Sequence, residues 1–462
     1  MKTLRALIAL TLLLPVTGCK RITALLHGGR ASSEKLVGQI DSSAALDSIA
    51  FSLDNRRVAY VDQVGEKQFV VVDGNQGKPY DGIGKGRLFS PDSRRVAYMA
   101  NVGDKWVVVV DGNEGKPYDS ILEGTPIFSP DSRGLAYAGR EGEKWVVVVD
   151  GEEEKPYDGI GGLIFSPDSR RVAYVAAVGE KQFVVVDGEE EKPYDGIGDL
   201  IFSPDSRRVA YVATVGKKQF VVVDGKEEKH YDGISEGLRF SPDSRRVAYV
   251  AVVGDKQLVV VDGKEEKHYD GIGESPVFSP DSRLVAYVAA VGEKRFVVVD
   301  GKEEKPYDGI GQGSLVFSPD SRRVAYAAEV GDKWVVVVDG KEEKPYDGIG
   351  ERPIFSPDSR RVAYWAAVGE KRFVVVDGQE EKPYHDIGQR SLFFSPDSRR
   401  VAYMANVGDK RVAVVDGKEG KPYDDLLEGT KVSFDSANEL HYLAVMKTAK
   451  GIDIYLVEEA FY

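Results

Sequence analysis

The words at residues 165–197, FSPDSRRVAYVAAVGEKQFVVVDGEEEKPYDGI, are written about ten times along this chain with few edits. The phenylalanine that opens each unit is Phe51, Phe89, Phe128, Phe165, Phe202, Phe240, Phe278, Phe317, Phe355 and Phe394, and Phe434 opens a degenerate eleventh. Spacings of 37 to 40 residues restrict the chain to architectures that stack one supersecondary unit on the next. Val-rich and aromatic runs broken by Pro and Gly exclude helical repeats, because Pro breaks helices and β-branched residues favour strands.

Each unit divides into four strands. The first ends in the phenylalanine, as in GLIF. SPDS then turns the chain, since Pro presets φ and the Asp and Ser side chains bond nearby backbone. The second strand is RRVAYVAAV, a VGEK or VGDK turn leads into the third, QFVVVD, and Asp-Gly signals a hairpin before the fourth, EKPYDGI. The middle two strands are near-continuous apolar runs, the pattern of sheets covered on both faces. The fourth carries the charged run EEK in most units, as in EEEKP or KEEKP. Pro, Lys and Glu are what an outermost strand with a free edge tolerates. An acidic, cation-binding belt is the alternative reading of that charge.

Four-stranded units of this length, covered on both faces, are the blades of a propeller. The stretch FSPDSRRVAYVA resembles the repeat of TolB-type and WD-repeat-like propellers, over about residues 43–459. Ser93, Ser132 and their equivalents stand where that repeat usually has Gly, and no unit has Trp-Asp at a strand end. The separate N-terminal domain of TolB proteins is also missing, so the resemblance implies fold rather than function. The last unit, KVSFDSANELHYLAVMKTAKGIDIYLVEE, supplies three strands, and EKLVGQI near the N-terminus supplies a fourth. The expectation is an all-β chain, a β-propeller of about eleven four-stranded blades over residues 37–459, with the N-terminal strand completing the last blade. Two smaller propellers, of five and six blades, are the alternative; the unbroken period stands against them.

Lys2 and Arg5 precede a short apolar run from Ala6 to Val16, and VTGC ends at the one cysteine of the chain, Cys19. The run is too short to span a bilayer and suits a signal-peptide core. VTGC resembles the lipobox of bacterial lipoproteins. That implies removal of residues 1–18, lipid attachment at Cys19, a tether over 19–36 and a place in the bacterial cell envelope. Lys20, where Asp would signal inner-membrane retention, favours the outer membrane.

With 62 basic against 75 acidic residues the chain carries −13, and an acidic mixed surface argues against nucleic acid. There is no Gly-rich phosphate loop, zinc-ligand spacing or GxSxG. The five histidines, His27, His230, His268, His385 and His441, read as single substitutions, so no metal or cofactor is expected. A catalytic site needs different groups converging on one centre, which near-copies do not supply. Function should therefore lie where the copies differ, on the face that carries the VGEK turns and the connections between units. At the head of the third strand stand Trp106, Trp145, Trp334, Arg295, Arg372 and Arg411, where other units have Gln; Arg87, Arg352 and Arg390 fall in connections of varying length. Trp and Arg dominate binding hot spots. The expected function is a lipid-anchored scaffold that holds an envelope protein, peptide or glycan on this face. The plainer reading packs these side chains between blades. A propeller lyase or hydrolase with its site over the channel and a surface-display protein are the other readings. The enzyme would need unique acid and base residues on adjacent blades, and the sequence shows no such cluster.

Overall fold

The computed structural model describes residues 30–41, 48–84, 86, 88–350, 352–426, 432–449 and 451–461. They form eleven antiparallel sheets. In the fourth, Gly159–Phe165 is innermost, followed outward by Val172–Val178, Lys181–Val186 and the short edge Glu189–Glu190. Innermost strands of neighbouring blades touch one another, as Gly196–Phe202 touches both Gly159–Phe165 and Gly233–Phe240, so these strands ring the axis.

The repeated VAY explains how blades stack. Successive residues of a strand face opposite sides. Tyr174 and Ala176 join the core shared with the preceding blade, whereas Ala173 joins the core shared with the next. Every interface but the closing one thus sets a small Ala of one blade near a large Tyr of the following one. Tyr211 meets Tyr194 edge-on at 6.2 Å in that same core. Both faces of the second and third strands are buried, which is why they read as unbroken apolar runs.

Eleven buried clusters join consecutive blades. One of them joins the last to the first, with Leu443, Ile454 and Leu456 against Val58, Tyr60 and Val71. The chain is therefore one closed ring of eleven blades, and the two-propeller alternative fails. Closure uses the N-terminal strand, Arg30–Asp41, which pairs antiparallel with Gly451–Phe461 from Arg30↔Phe461 to Asp41↔Gly451. Its start lies seven residues before the expected boundary at 37, because RASSEK carries no apolar alternation to mark a strand. The Cys19 lipid site and the signal segment lie outside the described residues.

Two further expectations change. The outer strand is not EKPYDGI. Tyr194 exchanges backbone hydrogen bonds with Gln182 of its own blade, and the very next amide, Asp195 N, donates to Thr214 O of the following one. Gly196 and Ile197 already belong to the next innermost strand. Pro193 has no N–H for the ladder, and burial of the Tyr194 ring draws the chain inward between blades. The charged edge is also more than a solvated border. Glu190 accepts from Lys155 Nζ (2.6 Å) and Tyr157 Oη (2.9 Å) of the preceding blade, and Glu154 accepts from Tyr174 Oη of the following one at 2.7 Å. Burial and the Glu190 carboxylate push the Tyr157 phenol up to about 12. Glu34 of the closing strand takes the same clasp from Lys421 and Tyr423, so the ring shuts with the device that joins its blades.

The serines that depart from the family repeat also join blades. Ser132 adopts φ 67°, a region that favours Gly, and its hydroxyl accepts from Asp92 N of the preceding blade at 2.8 Å. On the same face Arg171 binds Asp187 at 2.8 Å, donates to Ser206 O and Arg207 O of the next blade, and lies 5.3 Å from the Phe202 ring centre. Gly134 and Leu284 occupy that arginine position in the third and seventh blades. Leu284→Arg should therefore raise stability by about 1 kcal/mol, the sum expected of a half-exposed ion pair and a cation–π contact. A thermal midpoint at or below that of the parent would remove the arginine from the account of blade cohesion. Gly134→Arg is a poorer test, since a Cβ there would sit 3.2 Å from Ser129 Oγ.

Candidate binding face

The segments of varying length do not connect blades. The crossing from blade to blade takes a single peptide step, as at Tyr194–Asp195, so extra residues enter inside the innermost strand, whose axis-facing edge pairs with no strand among the described residues. In the fourth to sixth blades that strand is continuous but bulged. In the ninth it breaks between Gly348–Ile349 and Ile354–Phe355. Exposed Arg352 lies in this break, and exposed Arg390 in the matching one of the tenth blade, between Ile387 and Phe393–Phe394. Both therefore belong to the channel side rather than to connections on the turn-bearing face. Arg87 lies outside the described residues.

That face is built by the Asp of PYD. Asp195 Oδ1 accepts from Lys181 Nζ, at the head of the third strand of its own blade (2.5 Å), and Oδ2 accepts from the Gly216 amide in the next blade's turn (2.7 Å). One carboxylate thus pins two blades, and both donors hold its pKa below the usual range. The pattern recurs from Asp81, which binds Lys67 and Gly103, to Asp347, which binds Lys333 and Gly369.

The head of the third strand, expected to vary for binding, serves two ends. Its side chains are half-buried in every blade. Where it is Gln, it is structural: Gln68, Gln182, Gln219 and Gln257 each accept the amide of an Ile that opens the next blade's innermost strand, at 2.6–2.9 Å. Trp and Arg lack that acceptor. Trp145 packs against the core between the third and fourth blades and stacks with Arg140 at 5.7 Å. Trp106 sits at the same position in the second blade. Arg295 and Arg372 reach back to the turn carbonyls of Gly292 and Gly369, while Arg411 pairs with Asp425 of the last blade. The structure sets Arg295, Trp334, Arg372 and Arg411 on four consecutive blades, the seventh to the tenth. Trp106 and Trp145 stand apart from this arc.

One residue escaped the sequence reading. Trp365 lies in the second strand of the ninth blade, where its counterparts are Val175, Ala327 and Met404. Its ring covers Gly350 so closely that a Cβ there would overlap it, and Arg372 lies 5.8 Å from its centre. A single bulky residue at an otherwise small or aliphatic position was the available signal. Of the histidines, His230 stacks on Phe220 at 4.0 Å at the edge, as a substitution there allows. His441 is instead buried at the closure, facing Asp435 Oδ2 at 2.8 Å and Asp54 O of the first blade at 2.7 Å. Among the described residues, no group of three His, Cys, Asp or Glu side chains is placed to hold a metal.

No family model matches the chain, and no curated protein does. Its likeness is to solved structures. A eukaryotic initiation factor is 13% identical over 71% of this chain and 96% of its own, with a TM-score of 0.38. TolB from Acinetobacter baumannii is 16% identical over 54% of this chain and 78% of its own, at 0.26. The dihydro-heme d1 dehydrogenase NirN is 15% identical over 66% and 77%, at 0.32. At these values neither activity nor partners pass from them to this chain.

Proposed function

We propose that this propeller is a binding scaffold of the bacterial envelope, anchored by lipid at Cys19, which holds a protein, peptide or glycan on the face bearing the VGEK turns. The observation that carries the reading is the asymmetry of the ring. The SPDS and Asp-Gly face and the charged outer edge repeat their interblade contacts almost unchanged, whereas the opposite face adds to its repeated Asp clasp a position that changes from blade to blade. The opposite face gathers Arg295, Trp334 and Arg372 on adjacent blades, the residue types that anchor interfaces.

The test is capture from native envelope with the chain from Lys20 onward, beside an Arg295→Ala/Trp334→Ala/Arg372→Ala variant and a Trp106→Ala/Trp145→Ala variant. A partner held by the parent, lost by the first variant and kept by the second is the expected result. A partner kept by all three would overturn the choice of face. In the full chain a clickable fatty acid should label the parent and not Cys19→Ser; labelling of both would remove the anchor.

A further inference from the structure

Among the ten counterparts of PYD, from Tyr80–Asp81 to Tyr423–Asp424, one has lost the carboxylate that pins blade to blade. Between the ninth and tenth blades the words PYDGI become PYHDI, so His385 takes the Asp position and Asp386 the Gly position. The two donors remain. Lys371 is the counterpart of Lys181 and Gly408 that of Gly216, and among the described residues neither Lys371 Nζ nor the Gly408 amide has a partner. Asp386, one position later, bonds to neither; its backbone carbonyl accepts from Asn406 N at 3.0 Å.

A cleft of 750 Å³ opens at this junction, lined by Val368, Lys371, Pro383, Tyr384, His385 and Val407 together with Glu370, Lys382 and Asn406. Lys382 is already engaged by Glu419 at 2.5 Å. The size falls in the range of small-ligand sites. The walls are mostly carbon, and Arg372 stands at the head of the same third strand as Lys371.

We propose that this cleft binds a carboxylate carried on an apolar body. The ligand's two oxygens would take the places that Asp oxygens hold elsewhere, one on Lys371 Nζ and one on the Gly408 amide, while Val368, Pro383 and Val407 cover its hydrocarbon. Eight junctions of this chain show the same donor pair holding a carboxylate, from Asp81 to Asp347. The chemistry is therefore written in the protein itself. A free small acid and the C-terminus of a peptide both carry it. The inference deepens the binding-scaffold reading by giving one locus on that face a ligand class.

The measurement is calorimetric titration of the chain from Lys20 onward. The probes are N-acetylvaline, the peptide Gly-Ser-Gly-Ala-Val as free acid, the same peptide amidated, and inorganic phosphate. His385→Asp/Asp386→Gly restores the common words and fills the site from within; Lys371→Met removes the ammonium. The free-acid peptide should bind at least about tenfold more tightly than the amide, and both variants should lose about tenfold or more, roughly 1.4 kcal/mol. The double variant should melt no lower than the parent, which excludes misfolding as the cause. N-acetylvaline binding as tightly as the peptide would assign the site to small acids; a clear preference for the peptide would assign it to chain ends. Equal binding of acid and amide, preference for phosphate, or undiminished binding by the double variant would each overturn the proposal. An envelope partner still captured by the double variant would keep the scaffold and detach this site from it. Acid binding with no captured partner would do the reverse.

Discussion

A chain that begins at residue 42 should lose the closed ring. Removal of Arg30–Asp41 strips a strand paired along the whole of Gly451–Phe461 and exposes that strand's edge. It also removes Val37 and Ile40 from the core between the last and first blades. Two buried aliphatic side chains contribute roughly 1.5–3 kcal/mol each. Lost ladder hydrogen bonds contribute about 1 kcal/mol apiece before relaxation. The expected loss is therefore at least about 5 kcal/mol at the closure, a large part of the stability of any domain. It should appear as a loss of amide-exchange protection over 451–461 by roughly three orders of magnitude, since each 1.4 kcal/mol is tenfold. The open edge should also drive concentration-dependent association. A synthetic peptide of residues 30–41 added in trans should restore protection. Unchanged exchange in the truncated chain would show that the ring holds without this strand.

Arg30→Met attacks the same closure at one point. Arg30 Nε donates to Glu459 Oε2 at 2.7 Å, and Tyr442 Oη donates to Oε1 at 2.8 Å. Glu459 is buried, and burial raises its pKa above the usual carboxylate range even though Arg30 and Tyr442 oppose the rise. Without the guanidinium an ionised Glu459 would lack its counter-charge, and breaking such a pair costs about 3–5 kcal/mol. Protonation of the carboxyl offers an escape, so about 3 kcal/mol is expected at neutral pH. The sign of the pH dependence follows. A carboxyl whose pKa is raised by folding favours the folded state fully below its unfolded value, near 4.5, and loses that contribution as pH rises through the folded value. Arg30→Met raises the folded value further. The deficit should therefore be widest at neutral pH and shrink toward pH 4.5. Carboxylates such as Asp195 move oppositely with pH, but equally in both chains, so the difference between parent and variant isolates Glu459. Urea midpoints across this range provide the test. A deficit that stays constant with pH would show that Glu459 does not carry it.

The sequence by itself determined the blade and the number of copies. A fixed period, two apolar runs bounded by Pro and Gly, and an incomplete last unit leave stacked β-blades with the missing strand at the other end of the chain, and the closing contacts decide for one ring. Those signals are legible because they are local. Strand period, turn chemistry and burial on both faces are written within one unit. Tertiary structure alone decided what lies between units. Tyr194 and Asp195 are neighbours in the chain, yet each bonds to a different blade, so the fourth strand was read too long and the connection was placed where none exists. Glu190 and Ser132 looked like a border charge and a motif departure because their partners stand a whole repeat away. The same distance hid the meaning of His385. A single word edited among ten reads as a tolerated change until the structure shows that the usual carboxylate there bridges two blades, and that its donors remain when it is gone.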